Sequence, residues 1–313
     1  MNTRQISLEY VHTLAQKQTL ENSVPLLLAT DKFNRAIAYM MLSELSKHVS
    51  PLFLTVYEHI EKQDTAIRTR ELRHTLLREY EIGTAALNAV PADFRLRYEP
   101  SLLNAQEPTF VQAEAQDPPT VIVFTTKYNN FYISNLVLAA LLVQSGCSVL
   151  VLKDTSNFGF LEGISGLGWN WESSMSSLTS WVSCRAGPLS VVGFSSGGYA
   201  ALLAATILKP DRCVGFSVRT DLSPGSALPT PPLMPIKERD EIPLNLRQSL
   251  TPLIAESEFP FSLYAGNDDQ VDIAHANAVS HLPNVSLRVF PNTAHISVRP
   301  LFLSHALSQA ICP

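Results

Sequence analysis

Ser195 lies in Gly193-Phe194-Ser195-Ser196-Gly197, with a glycine two residues away on either side. The apolar run LSVVGF precedes it and GGYAALLAATIL follows, a strand and a helix by composition, so the serine is expected at a sharp strand-to-helix turn. A residue lifted onto such a turn brings backbone close on both flanks and leaves no room for side chains at the −2 and +2 positions. The chemistry this suits is attack on a carbonyl carbon. The hydroxyl stands at the tip of the turn, and the first amides of the helix point at the oxygen that becomes negative. The N–H of Ser196 is the first expected oxyanion donor; as a nucleophile Ser196 is disfavoured, because only Ser195 has glycine at both positions.

A serine hydroxyl needs a base to take its proton and a carboxylate to hold that base in the right tautomer. His295, in FPNTAHIS, follows the strand-like VSLRVF and precedes a final helix. Of the other histidines, His12, His48, His59 and His74 come too early in the chain, and His275, His281 and His305 fall in helices or at their ends. The acid belongs to YAGNDDQVDIAHA, after the strand FSLYAG. Counting forward from Gly266 favours Asp269, and counting back from the helix at Val271 favours Asp268, which is preferred; Asp272 is left to cap that helix. Asp221, after CVGFSV, is a less favoured substitute.

From residue 119 the chain alternates strand and helix, the pattern of a mostly parallel sheet covered by helices on both faces. PTVIVFTT, CSVLVLKD, LSVVGF, CVGFSV, FPFSLYAG and VSLRVF read as strands. The helices are expected over 133–145, about 173–184, the run after Ser195, and RPLFLSHALSQAI at the end. The loop TSNFGFLEGISGLGWNWESS should be long and ordered, and the proline-rich segment 219–258 suits a lid better than a sheet strand. Residues 1–118 form an N-terminal extension of βαβα character. Its strands are Val24–Thr30 and Pro51–Tyr57; Asp31 caps the first helix, and a charged helix follows the second strand. No glycine-rich phosphate loop follows the first strand, so a structural role is expected over nucleotide binding.

With 46% hydrophobic and 16% charged residues in 313, and a net charge of −5, the composition fits a folded chain with a sizeable core and argues against nucleic acid as a partner. Cys147, Cys184, Cys213 and Cys312 lack metal-clamping spacing and are expected reduced. The polar N-terminus has no signal-like apolar core, so a cytoplasmic location is expected. The most apolar run, 133–143, is shorter than the roughly 20 residues of a membrane span.

The serine turn, the acid after the penultimate strand and the late histidine together resemble the α/β-hydrolase superfamily, over residues of about 119 to 311. The resemblance implies a Ser-His-Asp triad, hydrolysis of an ester or thioester through an acyl-enzyme, and no metal or organic cofactor. It also implies a second oxyanion donor in TTKYNN, at the backbone N–H of Thr126 or Lys127. Tyr128 with Lys127, and Trp169 with Trp171, are candidate substrate contacts. Acyl transfer by the same triad and a silent hydrolase-fold binding module are the alternatives, with a small-molecule or carrier-linked acyl group as the expected partner.

Overall fold

The computed structural model describes residues 81–85, 88–104, 106–156, 158–229 and 243–313. The chain divides into two compact units, Met1–Arg95 and Leu96–Pro313. Of the first, residues 81–85 are helical; both strands expected in the N-terminal βαβα unit, its first helix and its Asp31 cap lie outside the described residues.

The second unit is built on a seven-stranded sheet in the order β1-β3-β2-β4-β5-β6-β7. The strands are β1 (Thr109–Val111), β2 (Thr120–Phe124), β3 (Ser148–Leu152), β4 (Leu189–Phe194), β5 (Arg212–Phe216), β6 (Phe261–Gly266) and β7 (Val285–Phe290). Six run parallel; β1, which composition did not reveal, pairs antiparallel with β3 at the edge. Every residue of β2, β3 and β4 is buried, as required of central parallel strands covered on both faces. The far edge, β7, is only partly covered.

The α-helices that follow β1 are α1 (Asn135–Gln144), α2 (Trp171–Ser183), α3 (Ser196–Leu208), α4 (Thr251–Ala255), α5 (Gln270–Val279), α6 (Val298–Leu303) and α7 (Leu307–Ile311). Helix α1 is apolar nearly all round and mostly buried, and α2 starts at a capping box in which Asn170 accepts from the Ser173 N–H while Ser173 Oγ accepts from the Asn170 N–H. The expected single C-terminal helix is two short ones, because His305 takes a left-handed φ of 57° between them. No described helix is long and apolar enough to cross a membrane.

The proline-rich segment expected as a lid is described over 219–229 and 243–258. Within its second part Leu246, Leu250 and Ile254 are buried in the core. The Tyr199 hydroxyl on α3 meets the carbonyls of Leu246 and Gln248 at 2.9 and 3.0 Å, and burial pushes that phenol up to about 12. This part of the segment is therefore fastened to the helix that follows the Ser195 turn.

One cysteine expectation is overturned. Cys147 and Cys312, 165 residues apart, form a disulfide with Cα atoms 6.5 Å apart, while Cys184 and Cys213 are free. Spacing along the chain had given no sign that β3 begins beside the C-terminus.

Candidate active site

The turn between β4 and α3 holds Ser195 at φ 54° and ψ −118°, a backbone conformation unfavourable for any residue but glycine. The Ser195 N–H donates to Phe216 O on β5 at 2.9 Å, which fixes the turn against the neighbouring strand. The flanking glycines are there for the reason the sequence suggested. A Cβ on Gly197 would lie 2.1 Å from Thr125 O, and one on Gly193 would lie 2.5 Å from the Ala201 Cβ. Helix α3 is thus pressed against β2 and β4 closely enough that only glycine fits, and the serine is pushed outward.

Across the sheet, the loops after β6 and β7 are stitched together. Asn267 N–H donates to Phe290 O, and Asp268 N–H donates to Thr293 O at 2.9 Å. Gly266 permits this approach, since a Cβ there would stand 2.1 Å from Thr293 O and 2.2 Å from Ala294 O. The result carries His295 to the serine: Ser195 Oγ lies 2.6 Å from His295 Nε2. Two buried serines that sequence reading did not single out hold the histidine's backbone. Ser217 Oγ donates to His295 O at 2.6 Å and lies 2.8 Å from Ser297 Oγ.

The acid differs from expectation. His295 Nδ1 is 2.8 Å from Oδ2 of Asp272, which is fully buried. Asp268 is exposed on the turn and does not reach the imidazole. Asp269 comes no closer than 3.8 Å to Nδ1; its Oδ1 accepts the N–H groups of Val271 and Asp272 and so caps α5. Asp272, expected to cap the helix, is therefore the carboxylate paired with His295, and Asp269, the alternative to the preferred Asp268 as that carboxylate, is the cap. The physical reason is helical phase: α5 begins at Gln270, so its third residue turns back toward the loop that carries His295. The spacing Asp-x-x-Asp, with a capping residue first and an acid at the third helical position, was the available signal.

Asp272 has a second partner, also unforeseen. Arg219 Nη1, from the loop after β5, lies 2.5 Å from Asp272 Oδ1. Burial alone would raise the Asp272 carboxyl, but hydrogen bonding and charge from His295 and Arg219 outweigh it and hold the group below its ordinary value.

One turn further along α5, His275 is buried. Its Nδ1 accepts the Thr220 N–H at 3.2 Å, and its Nε2 lies 3.2 Å from Pro229 O, the pattern of a neutral ring. Burial foremost, then the charge of Arg219, lowers this imidazole to about 4. Because the folded state binds the proton less readily than the unfolded chain, stability is full above about pH 6.5 and declines as the pH falls toward about 4. The loss expected from this group is about 3 kcal/mol. Thermal unfolding measured between pH 7 and 4 should fall less steeply in His275→Asn than in the parent.

Of the two expected second oxyanion donors, the Thr126 N–H is turned into its own loop, where it donates to Asn130 O at 2.8 Å. The Lys127 N–H does face the turn, where it donates to Ser196 Oγ at 2.6 Å. By helix geometry the Ser196 N–H, in the first turn of α3, is left out of the helix ladder. The proposed substrate contacts are not drawn into this constellation. Tyr128 is exposed beneath the Lys127 ammonium, Trp169 is 85% exposed, and Trp171 is packed in the core. Among the described residues no hydrogen bond or ring contact joins Tyr128 or Trp169 to Ser195, His295 or Asp272. The ring beside His295 is instead Phe194, at 5.7 Å between centroids.

No protein-family model and no curated protein matches the chain. Among solved structures, 2,6-dihydroxy-pseudo-oxynicotine hydrolase overlaps 99% of this chain and 88% of its own length, with a TM-score of 0.53 at 15% identity. A dienelactone hydrolase from Anabaena variabilis overlaps 65% of this chain and 88% of its own, with a TM-score of 0.44 at 19% identity. Est1E from Butyrivibrio proteoclasticus, solved with ferulic acid, overlaps 65% and 93%, with a TM-score of 0.47 at 13% identity. The parallel sheet, the sharp turn at Ser195 after β4 and the first of these overlaps agree, and the fold of this chain is the α/β-hydrolase fold.

Proposed function

We propose that the chain is a serine hydrolase of esters or thioesters, with Ser195 as nucleophile, His295 as general base and Asp272 as the acid that orients it. The observation that carries this reading is the unbroken line from Ser195 Oγ to His295 Nε2 at 2.6 Å and from His295 Nδ1 to Asp272 Oδ2 at 2.8 Å. A carboxylate accepting from Nδ1–H fixes the tautomer whose Nε2 lone pair faces the hydroxyl. The solved structure that overlaps 99% of the chain is named a hydrolase, which supports hydrolysis as the general class of reaction.

In this scheme Ser195 Oγ bonds to the carbonyl carbon as its proton passes to Nε2, and the carbonyl electron pair moves onto oxygen. The N–H groups of Ser196 and Lys127 receive that oxygen; to free the second, the Ser196 hydroxyl gives up its bond to Lys127 as the substrate arrives. Collapse expels the alcohol or thiol, which leaves with the proton from His295. Water, deprotonated by the same imidazole, then attacks the acyl-enzyme and releases the acid. Transfer to an alcohol or amine instead of water would use the same intermediate.

Incubation with a fluorophosphonate probe tests the reading. The parent is expected to be labelled at Ser195 and Ser195→Ala to remain unlabelled; a parent that takes up no label would instead support the silent binding module.

A further inference from the structure

Resting on the catalytic reading above, we propose that Arg219 is a positioning residue: it cancels one of two negative charges gathered at His295 and so favours the neutral imidazole that accepts the proton of Ser195. The arrangement departs from a simple triad in having two carboxylates at one histidine. Ligand atoms of Asp269, Asp272 and His295 all lie within 4.8 Å of one another, with Nδ1 at 2.8 Å from Asp272 and 3.8 Å from Asp269. Two uncompensated negative charges at that range would favour the imidazolium, which cannot accept the proton of Ser195. Arg219 supplies the compensation.

Its geometry points to that role. The guanidinium is largely buried, at 12% exposure, and its one ion-pair partner among the described residues is Asp272. Its Nε is buried with no hydrogen-bond partner, so the group is not held there by a full set of acceptors. Asp272 joins the guanidinium and the imidazole through separate oxygens, Oδ1 toward Arg219 and Oδ2 toward His295.

The other titratable groups nearby do not supply a substitute cation. His275 on α5 is neutral in the working range, its imidazole lowered to about 4. Asp221, beside Arg219 in the chain, accepts from Ser223 and Ser226, and Asp268 is exposed on the turn before α5.

The experiment is the pH dependence of the rate of fluorophosphonate labelling at Ser195, which reads the base directly and needs no natural substrate. In Arg219→Gln the acid limb is expected to move up by about one pH unit. Arg219→Met, uncharged and closer in bulk, should do the same and serves if the first variant folds poorly. Arg219→Lys, which retains the charge, should stay near the parental limb. The double variant Arg219→Gln/Asp269→Asn should move back toward it, because one carboxylate has gone with the cation while asparagine still caps α5. An acid limb unmoved in both uncharged variants, or unmoved by adding Asp269→Asn, would overturn the role of Arg219 and leave the triad standing. A parent without label would remove the triad reading itself and this proposal with it.

Discussion

Ser195→Ala is expected to lower ester turnover by a factor on the order of 10⁶, His295→Ala by a similar factor, and the double variant by no more than either alone. The three effects coincide because the hydroxyl and the imidazole perform one step. At 2.6 Å, Nε2 can take the proton only if Oγ is there to give it, and Oγ is a strong nucleophile only as the proton leaves. Whatever residual rate remains reflects substrate positioning and the Ser196 and Lys127 amides, which neither substitution touches. Turnover of an activated ester such as a p-nitrophenyl acyl ester, with circular dichroism to confirm folding, measures all three variants. Losses that multiply in the double variant would mean that the residues act independently, and the 2.6 Å contact would then not be the catalytic one.

The second large effect separates the three aspartates. Asp272→Asn should cost about 10⁴ in kcat, because an asparagine no longer accepts from Nδ1–H as a carboxylate does, and the ring can settle in the tautomer whose Nε2 carries the proton. Asp268→Asn should be close to the parent, since Asp268 is exposed and the carboxylates that pair with Nδ1 among the described residues are Asp272 and, at 3.8 Å, Asp269. Asp269→Asn should change kcat little, since asparagine caps a helix about as well as aspartate does. Asp272→Asn also leaves the Arg219 charge in a buried site without its partner, so a stability loss of about 3 kcal/mol is expected alongside. Rates should therefore be normalised to active-site concentration. A full loss in Asp268→Asn with parental activity in Asp272→Asn would reverse the assignment.

Much of this was legible in the residues. The spans of β4 and β7 coincide with the runs LSVVGF and VSLRVF, and for β4 the reason is that a continuous apolar segment bounded by turn residues has few alternatives in a covered parallel sheet. Ser195 was legible because a local steric demand, glycine at both flanks, is written within five residues. His295 was legible because a short connection after a strand leaves it little freedom of position. The antiparallel β1 and the break of the last helix at His305 were not, for each depends on a partner or a single backbone angle that composition does not encode.

What the sequence determined by itself was the order of the six parallel strands along the chain, the sharp turn that holds Ser195 and the place of His295 after the last strand, all consequences of local sterics and hydrophobic period. The tertiary structure alone decided which carboxylate faces the imidazole, that Arg219 stands behind it, that Ser217 holds the His295 carbonyl, and that Cys147 meets Cys312. Each of those is a meeting of side chains from separate loops, fixed by the rotational phase of one helix and the register of packed strands, and a few ångströms of displacement would have chosen a different partner.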